Sequence, residues 1–278
     1  MSRKTLKSEA HFSGVGLHSG RKTSVTIKPG ESGSGYCVLM GNELFKLSDA
    51  QRCGDGRGTV LTFPRGKLMT VEHMLGALRG LGVDDVVICP EGEEIPLLDG
   101  SALPFCREFE AAGFVEQSGE PEPIFISSPT AVTSEDEKKA VIALPSDRLR
   151  FTYVIEYGDN AISTQTATVI PTLENFSDEL GQCRTFCLYE EVEQMRKLGL
   201  GLGGTVETAL IVKGHELLTP GGLRRPDEFV RHKILDMMGD LSLLGRPVIG
   251  HFFGIRAGHA MHLKLVDKIS REQQYESQ

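Results

Sequence analysis

Long hydrophobic runs are absent from this 278-residue chain. No stretch approaches the ~18 apolar residues that a membrane span needs, so we expect no transmembrane segment. The charged start over residues 1–11 is not followed by an apolar stretch, which predicts that the chain has no secretory signal. The six cysteines form no CxxC pair and no zinc-ribbon spacing, which favours free thiols over disulfides. Together these absences predict a soluble, cytoplasmic protein.

An excess of basic charge is also absent. The formal net charge of -8 argues against non-specific binding of nucleic acid, which needs a basic surface. Positive charge is nevertheless concentrated at Arg224, Arg225, Arg231 and Lys233. This cluster is compatible with a site for an anionic small molecule and, equally, with a solvated helix flank.

A domain boundary is predicted within the polar stretch over residues 116–123, which contains two prolines and a glycine. The chain is long enough for two modest domains, each with its own core. We therefore predict an N-terminal α+β domain over residues 1–118 and a C-terminal α+β domain over residues 119–278.

Hydrophobic periodicity predicts the main elements of both domains. A helical pattern over residues 71–81 places Glu72 and His73 away from the buried stripe of that helix. A shorter helix is expected after Gly258, with a frayed tail from Ser270. The sequence shows no repeat. The other predicted elements are strands over 24–28, 84–89, 140–144, 150–155 and 205–212, and helices over 104–112, 189–198 and 227–244.

Two histidines and an aspartate form the pattern that decides the predicted chemistry. His232 and Asp236 are four residues apart in a predicted helix, so they lie on one face and are able to hold one cation together with His73. Two histidines and one carboxylate leave a fourth position to water, which is typical of a catalytic zinc site rather than a structural one. The sequence therefore predicts a zinc enzyme.

Further residues complete a predicted hydrolytic site. Glu72 points about 100° away from His73 around the helix, so it is placed to act on the water as a general base. His259 is the candidate acid for a leaving amine, and Asp240 is expected to hold it in the charged form. Thr185, or a second cationic group, is the candidate donor to the developing oxyanion. The predicted reaction is metal-assisted hydrolysis.

Three other motifs are not assigned a function. Residues 199–204 satisfy GxGxxG, but a predicted helix precedes them and a strand follows, the reverse of the dinucleotide-binding order. His259 and His262 have a possible ligand spacing, but no acidic residue adjoins them in the sequence as in a zinc protease signature. Cys183 and Cys187 are predicted to be core thiols.

Taken together, the motifs of this chain resemble those of the UDP-3-O-acyl-N-acetylglucosamine deacetylases. The resemblance spans nearly the whole sequence, and the motifs are long and in the right order. Those that carry it are Gly14-Val-Gly-Leu-His-Ser-Gly20, Thr70-Val-Glu-His-Met-Leu75, Glu94-Ile-Pro-Leu-Leu-Asp-Gly-Ser-Ala102, Arg184-Thr-Phe186, Gly201-Leu-Gly-Gly204, Asp227-Glu-Phe-Val-Arg-His-Lys-Ile-Leu-Asp236, Gly239-Asp240, 242–249 and Gly258-His259.

The resemblance implies zinc-dependent removal of the N-acetyl group from UDP-3-O-acyl-N-acetylglucosamine, the committed step of lipid A biosynthesis in the Gram-negative cytoplasm. It also implies a partner that is a small molecule, the acylated UDP-amino sugar. We further expect the protein to be a monomer. The residue roles that it implies are zinc ligation by His73, His232 and Asp236, catalysis by Glu72, His259, Asp240 and Thr185, and substrate contact by Lys233, His18 and Phe186.

The fold implied by the resemblance consists of two similar α+β domains, each a helical layer on a sheet, with the helices sandwiched between the two sheets. An inserted element in the second domain, near residues 187–217, is expected to form a passage for the acyl chain. Leu198 and Leu200 are expected to contact that chain, although ordinary core packing explains such residues equally well.

Two alternative functions stay open at this point. One is a related zinc hydrolase with another N-acyl substrate, because the strand around residues 38–45 is less basic than is usual in the family. The other is a catalytically silent binder of acylated nucleotide sugars. Glu72 beside a complete ligand set argues against the binder, since binding alone needs no base next to the metal.

Overall fold

The computed structural model describes residues 2–54 and 57–276. Within these residues the chain is mixed α+β, and the predicted fold class is confirmed. Five α-helices are formed in these described ranges: α1 (Glu72–Gly80), α2 (Leu103–Ala112), α3 (Tyr189–Lys197), α4 (Glu228–Leu241) and α5 (His259–Glu276). A π-helical turn over Ser177–Gly181 and two short 3-10 turns over Leu47–Asp49 and Ser242–Leu244 accompany them.

The strands are mostly four to eight residues long. They are β1 (Arg3–Leu6), β2 (Ala10–Val15), β3 (Lys22–Pro29), β4 (Tyr36–Met40), β5 (Glu43–Lys46), β6 (Gln51–Gly54), β7 (Thr59–Phe63), β8 (Gly66–Met69), β9 (Val86–Pro90), β10 (Phe114–Gln117), β11 (Ile124–Phe125), β12 (Thr130–Thr133), β13 (Ala140–Leu144), β14 (Arg150–Glu156), β15 (Thr164–Val169), β16 (Phe186–Leu188), β17 (Leu210–Lys213), β18 (Glu216–Leu217), β19 (Val248–Ile249) and β20 (His251–Ile255).

Two five-stranded sheets have the same strand order and the same pattern of directions. The first has the order β2-β3-β9-β4-β5 and the second the order β12-β13-β20-β14-β15. In each, two antiparallel hairpins flank a central strand that comes last in the chain and pairs parallel with the first strand of the second hairpin. The structure therefore contains a repeat that no sequence periodicity revealed.

The helices α1, α2, α4 and α5 lie between these two sheets, whereas α3 packs on β16 and β17. α2 packs on β2 of the first sheet, α5 packs on β12 and β13 of the second, and α1 contacts both α2 and α4. Buried apolar side chains from both halves form one continuous core. None of the helices in the described ranges is long and apolar enough to cross a membrane. The boundary between residues 118 and 119 stays a prediction.

Each half carries a small additional three-stranded sheet between its second hairpin and the following helix. In the first half this sheet is β6-β7-β8, and in the second half it is β16-β17-β18 with α3. The second of these elements coincides with the predicted insertion near residues 187–217.

Three expectations about local structure are wrong. The helix after Gly258 is not short, because buried Met261, Leu265 and Ile269 lie at helical spacing and keep α5 regular. The tail from Ser270 is part of that helix as far as Glu276. The strand predicted over residues 205–212 begins only at Leu210, because residues 205–208 form a turn.

Candidate active site

α1 and α4 bring the three predicted metal ligands together. The ligand atoms of His73, His232 and Asp236 all lie within 4.8 Å of one another. The Nε2 atoms of His73 and His232 lie 3.5 and 3.3 Å from Asp236 Oδ1. All three residues are buried, and within the described part of the chain Asp236 Oδ1 has no hydrogen-bond partner. A buried carboxylate oxygen without a donor, facing two imidazole nitrogens, fits a cation site.

The protonation states of these groups also suit a metal. Burial lowers the pKa of the His232 imidazole to about 3, so the ring is neutral and keeps a lone pair for a metal. Its Nδ1 lies 3.0 Å from the carbonyl oxygen of Cys183, a contact that directs Nε2 toward the ligand cluster. Burial acts to raise the pKa of Asp236, but His232 and Lys233 outweigh it and hold that pKa well below its usual range.

The close contact between α1 and α4 depends on a glycine. A Cβ atom added to Gly239 of α4 would lie 2.0 Å from the carbonyl oxygen of Glu72, at the start of α1. Only a residue without a side chain allows the two helices to approach so closely. The expectation that Glu72 and His73 lie away from the buried stripe is therefore wrong, since α1 is covered by α4 on that side and both residues are buried.

Glu72 lies beside the ligand cluster and faces His259. Its Oε1 is 3.6 Å from His259 Nε2, and its Oε2 accepts a long hydrogen bond of 3.4 Å from the amide of Thr59. Burial raises the pKa of the Glu72 carboxyl above its usual value. A carboxylate with a raised pKa is better matched to proton transfer near neutrality.

Asp240 is hydrogen-bonded to both His259 and Thr59. Its Oδ2 accepts a hydrogen bond of 2.8 Å from His259 Nδ1, and its Oδ1 accepts one of 2.5 Å from Thr59 Oγ1. Burial alone would lower the pKa of His259, but the carboxylates of Asp240, Glu72 and Asp236 outweigh it and raise that pKa to about 10. A raised pKa favours the charged imidazole, and the role of Asp240 in holding His259 charged stays a prediction.

His18 approaches the cluster from a loop of the first half. Both of its ring nitrogens are buried without a hydrogen-bond partner in the described residues. A Cβ atom added to Gly58 would lie 3.1 Å from His18 Nε2 and 3.4 Å from Glu72 Oε1, so the two side chains flank the same point. Glu94 holds this loop by accepting hydrogen bonds of 2.7 and 2.9 Å from the amides of His18 and Ser19.

The glycine-rich segment over residues 199–204 packs against the His18 loop. The amides of Leu202 and Gly203 donate hydrogen bonds of 3.3 and 3.0 Å to the carbonyls of His18 and Leu17. A Cβ atom added to Gly203 would lie 2.2 Å from the carbonyl oxygen of Gly16. In the structure these glycines therefore permit a close backbone contact between the two halves.

Thr185 and Phe186 line a small cavity with His18. The cavity has a volume of about 90 Å³, and most of its remaining lining is apolar. The other residues that line it are Leu17, Arg57, Cys187, Val192, Met195, Gly201, Gly204, Ala209 and Ile211. The cavity thus lies between the His18 loop and the inserted element of the second half.

The remaining predicted contact residues are spread around this cavity. Lys233 Nζ lies 2.8 Å from Asp236 Oδ2 and 5.4 Å from the centre of the Phe186 ring. Leu200 lies in a neighbouring groove of about 610 Å³ that also contains His18. Leu198 is 71% exposed and lies outside the lining of both spaces. The roles of Leu198 and Leu200 stay predictions.

Several buried polar residues around the site were not predicted from the sequence. Glu228 accepts hydrogen bonds of 3.0 and 2.8 Å from the amide and Nε of Arg184, which fixes the segment that carries Thr185. Thr59 fixes Asp240 by a hydrogen bond, and Glu94 fixes the His18 loop by accepting hydrogen bonds from its amides. Glu94 and Arg184 belong to motifs that carried the resemblance, but Thr59 gave no signal, because its position depends on the fold.

Comparison with known proteins identifies the family. The family model described as LpxC, UDP-3-O-acyl N-acetylglycosamine deacetylase, matches residues 3–271. The chain belongs to this family.

Named relatives agree over nearly their whole length. A protein of Phenylobacterium zucineum (strain HLK1) is 40% identical over 272 residues, which are 96% of this chain and 92% of that protein. One of Chlamydia felis (strain Fe/C-56) is 36% identical over 98% of each chain. One of Myxococcus xanthus (strain DK1622) is 36% identical over 96% of this chain and 86% of its own. Each is named UDP-3-O-acyl-N-acetylglucosamine deacetylase.

Proposed function

We propose that this chain is a zinc-dependent deacetylase that hydrolyses the N-acetyl group of UDP-3-O-acyl-N-acetylglucosamine. The products are acetate and UDP-3-O-acyl-glucosamine, and the reaction is a step of lipid A biosynthesis. The observation that carries the proposal is the buried cluster of His73, His232 and Asp236 beside Glu72 and His259, in a chain that belongs to this family.

The cluster fits zinc on its own chemistry. It offers two imidazole nitrogens and one carboxylate oxygen, the ligand set of many catalytic zinc sites. The orphaned Oδ1 of Asp236 and the neutral ring of His232 are the features expected of metal ligands. When bound, zinc supplies Lewis acidity that polarises the amide carbonyl and makes water more acidic.

In this proposal, Glu72 and His259 divide the proton transfers between them. Glu72 removes a proton from the attacking water as its oxygen forms a bond to the acetyl carbon. His259, which is charged and held by Asp240, donates a proton to the amine nitrogen as the carbon–nitrogen bond breaks. The distance of 3.6 Å between Glu72 Oε1 and His259 Nε2 supports this division, because the two groups lie next to each other beside the ligand cluster.

The substrate contacts are proposed from their positions. Thr185 is the donor for the oxyanion, and Lys233, His18 and Phe186 contact the sugar nucleotide. The apolar cavity beside the inserted element would receive the start of the acyl chain, since its lining includes Met195 and Ile211. Leu198 and Leu200 are proposed to contact the chain further out. We also propose that the protein acts in the cytoplasm as a monomer.

The experiment that tests this function is release of acetate from UDP-3-O-acyl-N-acetylglucosamine by purified protein loaded with one equivalent of zinc. We expect release that stops with a chelator and returns with zinc. Non-acylated UDP-N-acetylglucosamine is the matched control substrate and should react far more slowly.

The outcomes separate the alternatives. Equal rates on the two substrates would favour a zinc hydrolase with a broader N-acyl substrate range. No release by folded, zinc-loaded protein that still binds the acylated sugar nucleotide would contradict the enzyme and favour a silent binder.

A further inference from the structure

Asp240 accepts hydrogen bonds from two histidines at the same oxygen. His259 Nδ1 and His262 Nδ1 each lie 2.8 Å from Asp240 Oδ2, and both histidines come from the first turn of α5. Asp240 is fully buried and His262 is 1% exposed. The proposed mechanism gives His259 and Asp240 a role but leaves His262 without one.

The other side of His262 is held by a tyrosine. Tyr153 Oη lies 2.9 Å from His262 Nε2, and both side chains are fully enclosed. Burial raises the pKa of the Tyr153 phenol well above its usual value, so the hydroxyl stays protonated. It therefore donates a hydrogen bond to His262 Nε2. Burial also lowers the pKa of His262, which favours the neutral ring. A neutral ring that accepts at Nε2 must donate at Nδ1, so its hydrogen bond to Asp240 has a fixed direction.

Tyr153 is itself fixed on the second sheet. Its partner on the neighbouring strand β20 is Gly254, and a Cβ atom added there would lie 2.1 Å from a carbon of the tyrosine ring. The Tyr153 ring therefore occupies the space that a side chain at position 254 would need, and only glycine leaves that space open. A directed series of hydrogen bonds thus runs from the sheet through Tyr153 and His262 to Asp240.

The second histidine is better explained by this series than by metal binding. Asp240, His259 and His262 have ligand atoms within 4.8 Å of one another, as a metal site would. However, both Nδ1 atoms are at hydrogen-bond distance from one carboxylate oxygen, and Nε2 of His262 is occupied by Tyr153. No nitrogen of His262 is left to bind an ion.

We propose that His262, oriented by Tyr153, is a positioning residue that fixes the Asp240 carboxylate and thereby the ring of His259. This inference rests on the proposed function, in which His259 donates a proton to the leaving amine. Without His262, Asp240 would keep Thr59 as the donor to Oδ1 and His259 as the donor to Oδ2, but it would lose the second donor that fixes Oδ2. The carboxylate would then be held less firmly. A displacement of about 1 Å at a reacting group costs ~10²-fold in rate.

The test compares two substitutions at one position. His262→Leu removes the donor to Asp240, whereas His262→Asn retains an N–H group that is able to donate to it. We expect His262→Leu to lower kcat ~10- to 100-fold with little change in KM, as a partial loss of positioning predicts. His262→Asn should recover most of this loss. Tyr153→Phe, which removes only the hydroxyl, should lower kcat in the same direction and by less.

A double mutant distinguishes positioning from a merely structural role. In a His259→Ala background, His262→Leu should cost no further kcat, because the group that it positions is gone. The same fold-loss in both backgrounds would overturn the inference, as would equal kcat for His262→Leu and wild type. Unfolding midpoints and zinc content of each variant establish that the comparison is made on folded, loaded protein.

A second readout does not depend on turnover. In zinc-loaded protein with ¹⁵N-labelled histidine, the hydrogen-bonded Nδ1–H protons of His259 and His262 should give separate downfield NMR signals. His262→Leu should remove one signal and shift the other, and an unshifted His259 signal would contradict the positioning role. If wild-type protein released no acetate, the proposed function would fail while this measurement still decided the geometry.

Discussion

The two halves of this protein share one topology but differ in what they contribute to the site. Each half consists of two hairpins, a small inserted sheet, a helix, a central strand and a second helix, in that order. The first half contributes Glu72 and His73 from the first turn of α1. The second half contributes the proposed ligands His232 and Asp236 and the acidic Asp240 from α4, and His259 from the start of α5. The repeated topology thus places the equivalent helices α1 and α4 in contact, but the two helices carry different polar side chains.

The inserted sheets differ in a related way. The sheet β6-β7-β8 of the first half brings Thr59 under the site, where it donates to Asp240 of the second half. The sheet β16-β17-β18 of the second half carries Phe186 and lines the apolar cavity. One insertion therefore supports the reacting groups, and the other forms the space that we propose for the acyl chain.

The largest expected effect comes from removing a ligand of the second half. His232→Ala or Asp236→Ala should lose zinc and lower kcat by about 10³-fold or more, because a metal contributes several kcal/mol to such reactions. His73→Ala should retain zinc more tightly than His232→Ala does, since His232 and Asp236 form a preorganised pair on one helix. Metal content and zinc affinity measure both effects, with His215→Ala, at an exposed ion pair, as the control.

Equal zinc affinity in the three ligand variants would argue that neither half organises the site in advance. Full zinc content in Asp236→Ala would remove that residue from the ligand set.

Glu72→Gln gives the next largest effect and tests the first half alone. The amide has the size of the carboxylate but is unable to take a proton, so kcat should fall by ~10² to 10⁴-fold while zinc content is unchanged. The measurement is kcat at matched zinc occupancy. Normal turnover by the zinc-loaded variant would refute the assignment of Glu72 as general base.

Gly239→Ala tests the contact through which the two halves meet. The added Cβ would lie 2.0 Å from a backbone oxygen of α1, which is unable to move away without separating the helices. We expect a loss of about 3 kcal/mol in the free energy of unfolding, at the upper end of typical overpacking costs. Urea unfolding measures this loss.

Gly76→Ala is the matched control on the opposite helix. Its Cβ would meet the flexible end of Leu235 at 2.8 Å, so the cost should be smaller. Equal losses of unfolding free energy in Gly239→Ala and Gly76→Ala would show that the close contact with the Glu72 backbone is no more important for stability than the contact with Leu235.

The sequence predicted the chemistry of the site better than it predicted the surrounding residues that hold the site in place. His73, His232 and Asp236 were predicted as ligands because two of them share a helix face and all three have metal-binding side chains, and the structure brings the three together. The resemblance implied the repeat of two similar domains, but no sequence periodicity showed it, since equivalent strands need only similar hydrophobic alternation and not similar residues. His262 was set aside because its acidic partner, Asp240, is 22 positions away in the chain and approaches it only when α4 packs on α5. Long-range polar contacts of this kind leave no local pattern.

The smallest expected effect concerns an ion pair that joins the two halves at the surface. Arg224 of the second half lies 2.8 Å from Asp99 of the first. Partial burial acts to raise the pKa of Asp99, but hydrogen bonds from Arg224 and Ser101 outweigh it and lower that pKa. A lowered pKa means that the pair stabilises the fold above about pH 4, the usual Asp value, and that this contribution is lost as the pH falls further.

Because both side chains are about one-third exposed, with 30% and 32% of their surface accessible, we expect Asp99→Asn to cost less than about 1 kcal/mol at neutral pH. Urea midpoints for wild type and variant should converge as the pH is lowered below 4. In an Arg224→Ala background the difference at neutral pH should shrink, because the carboxylate has lost its charged partner. A constant difference across the pH range would mean that Asp99 acts through its neutral contacts, and that the two halves are joined by the α1–α4 core without help from this pair.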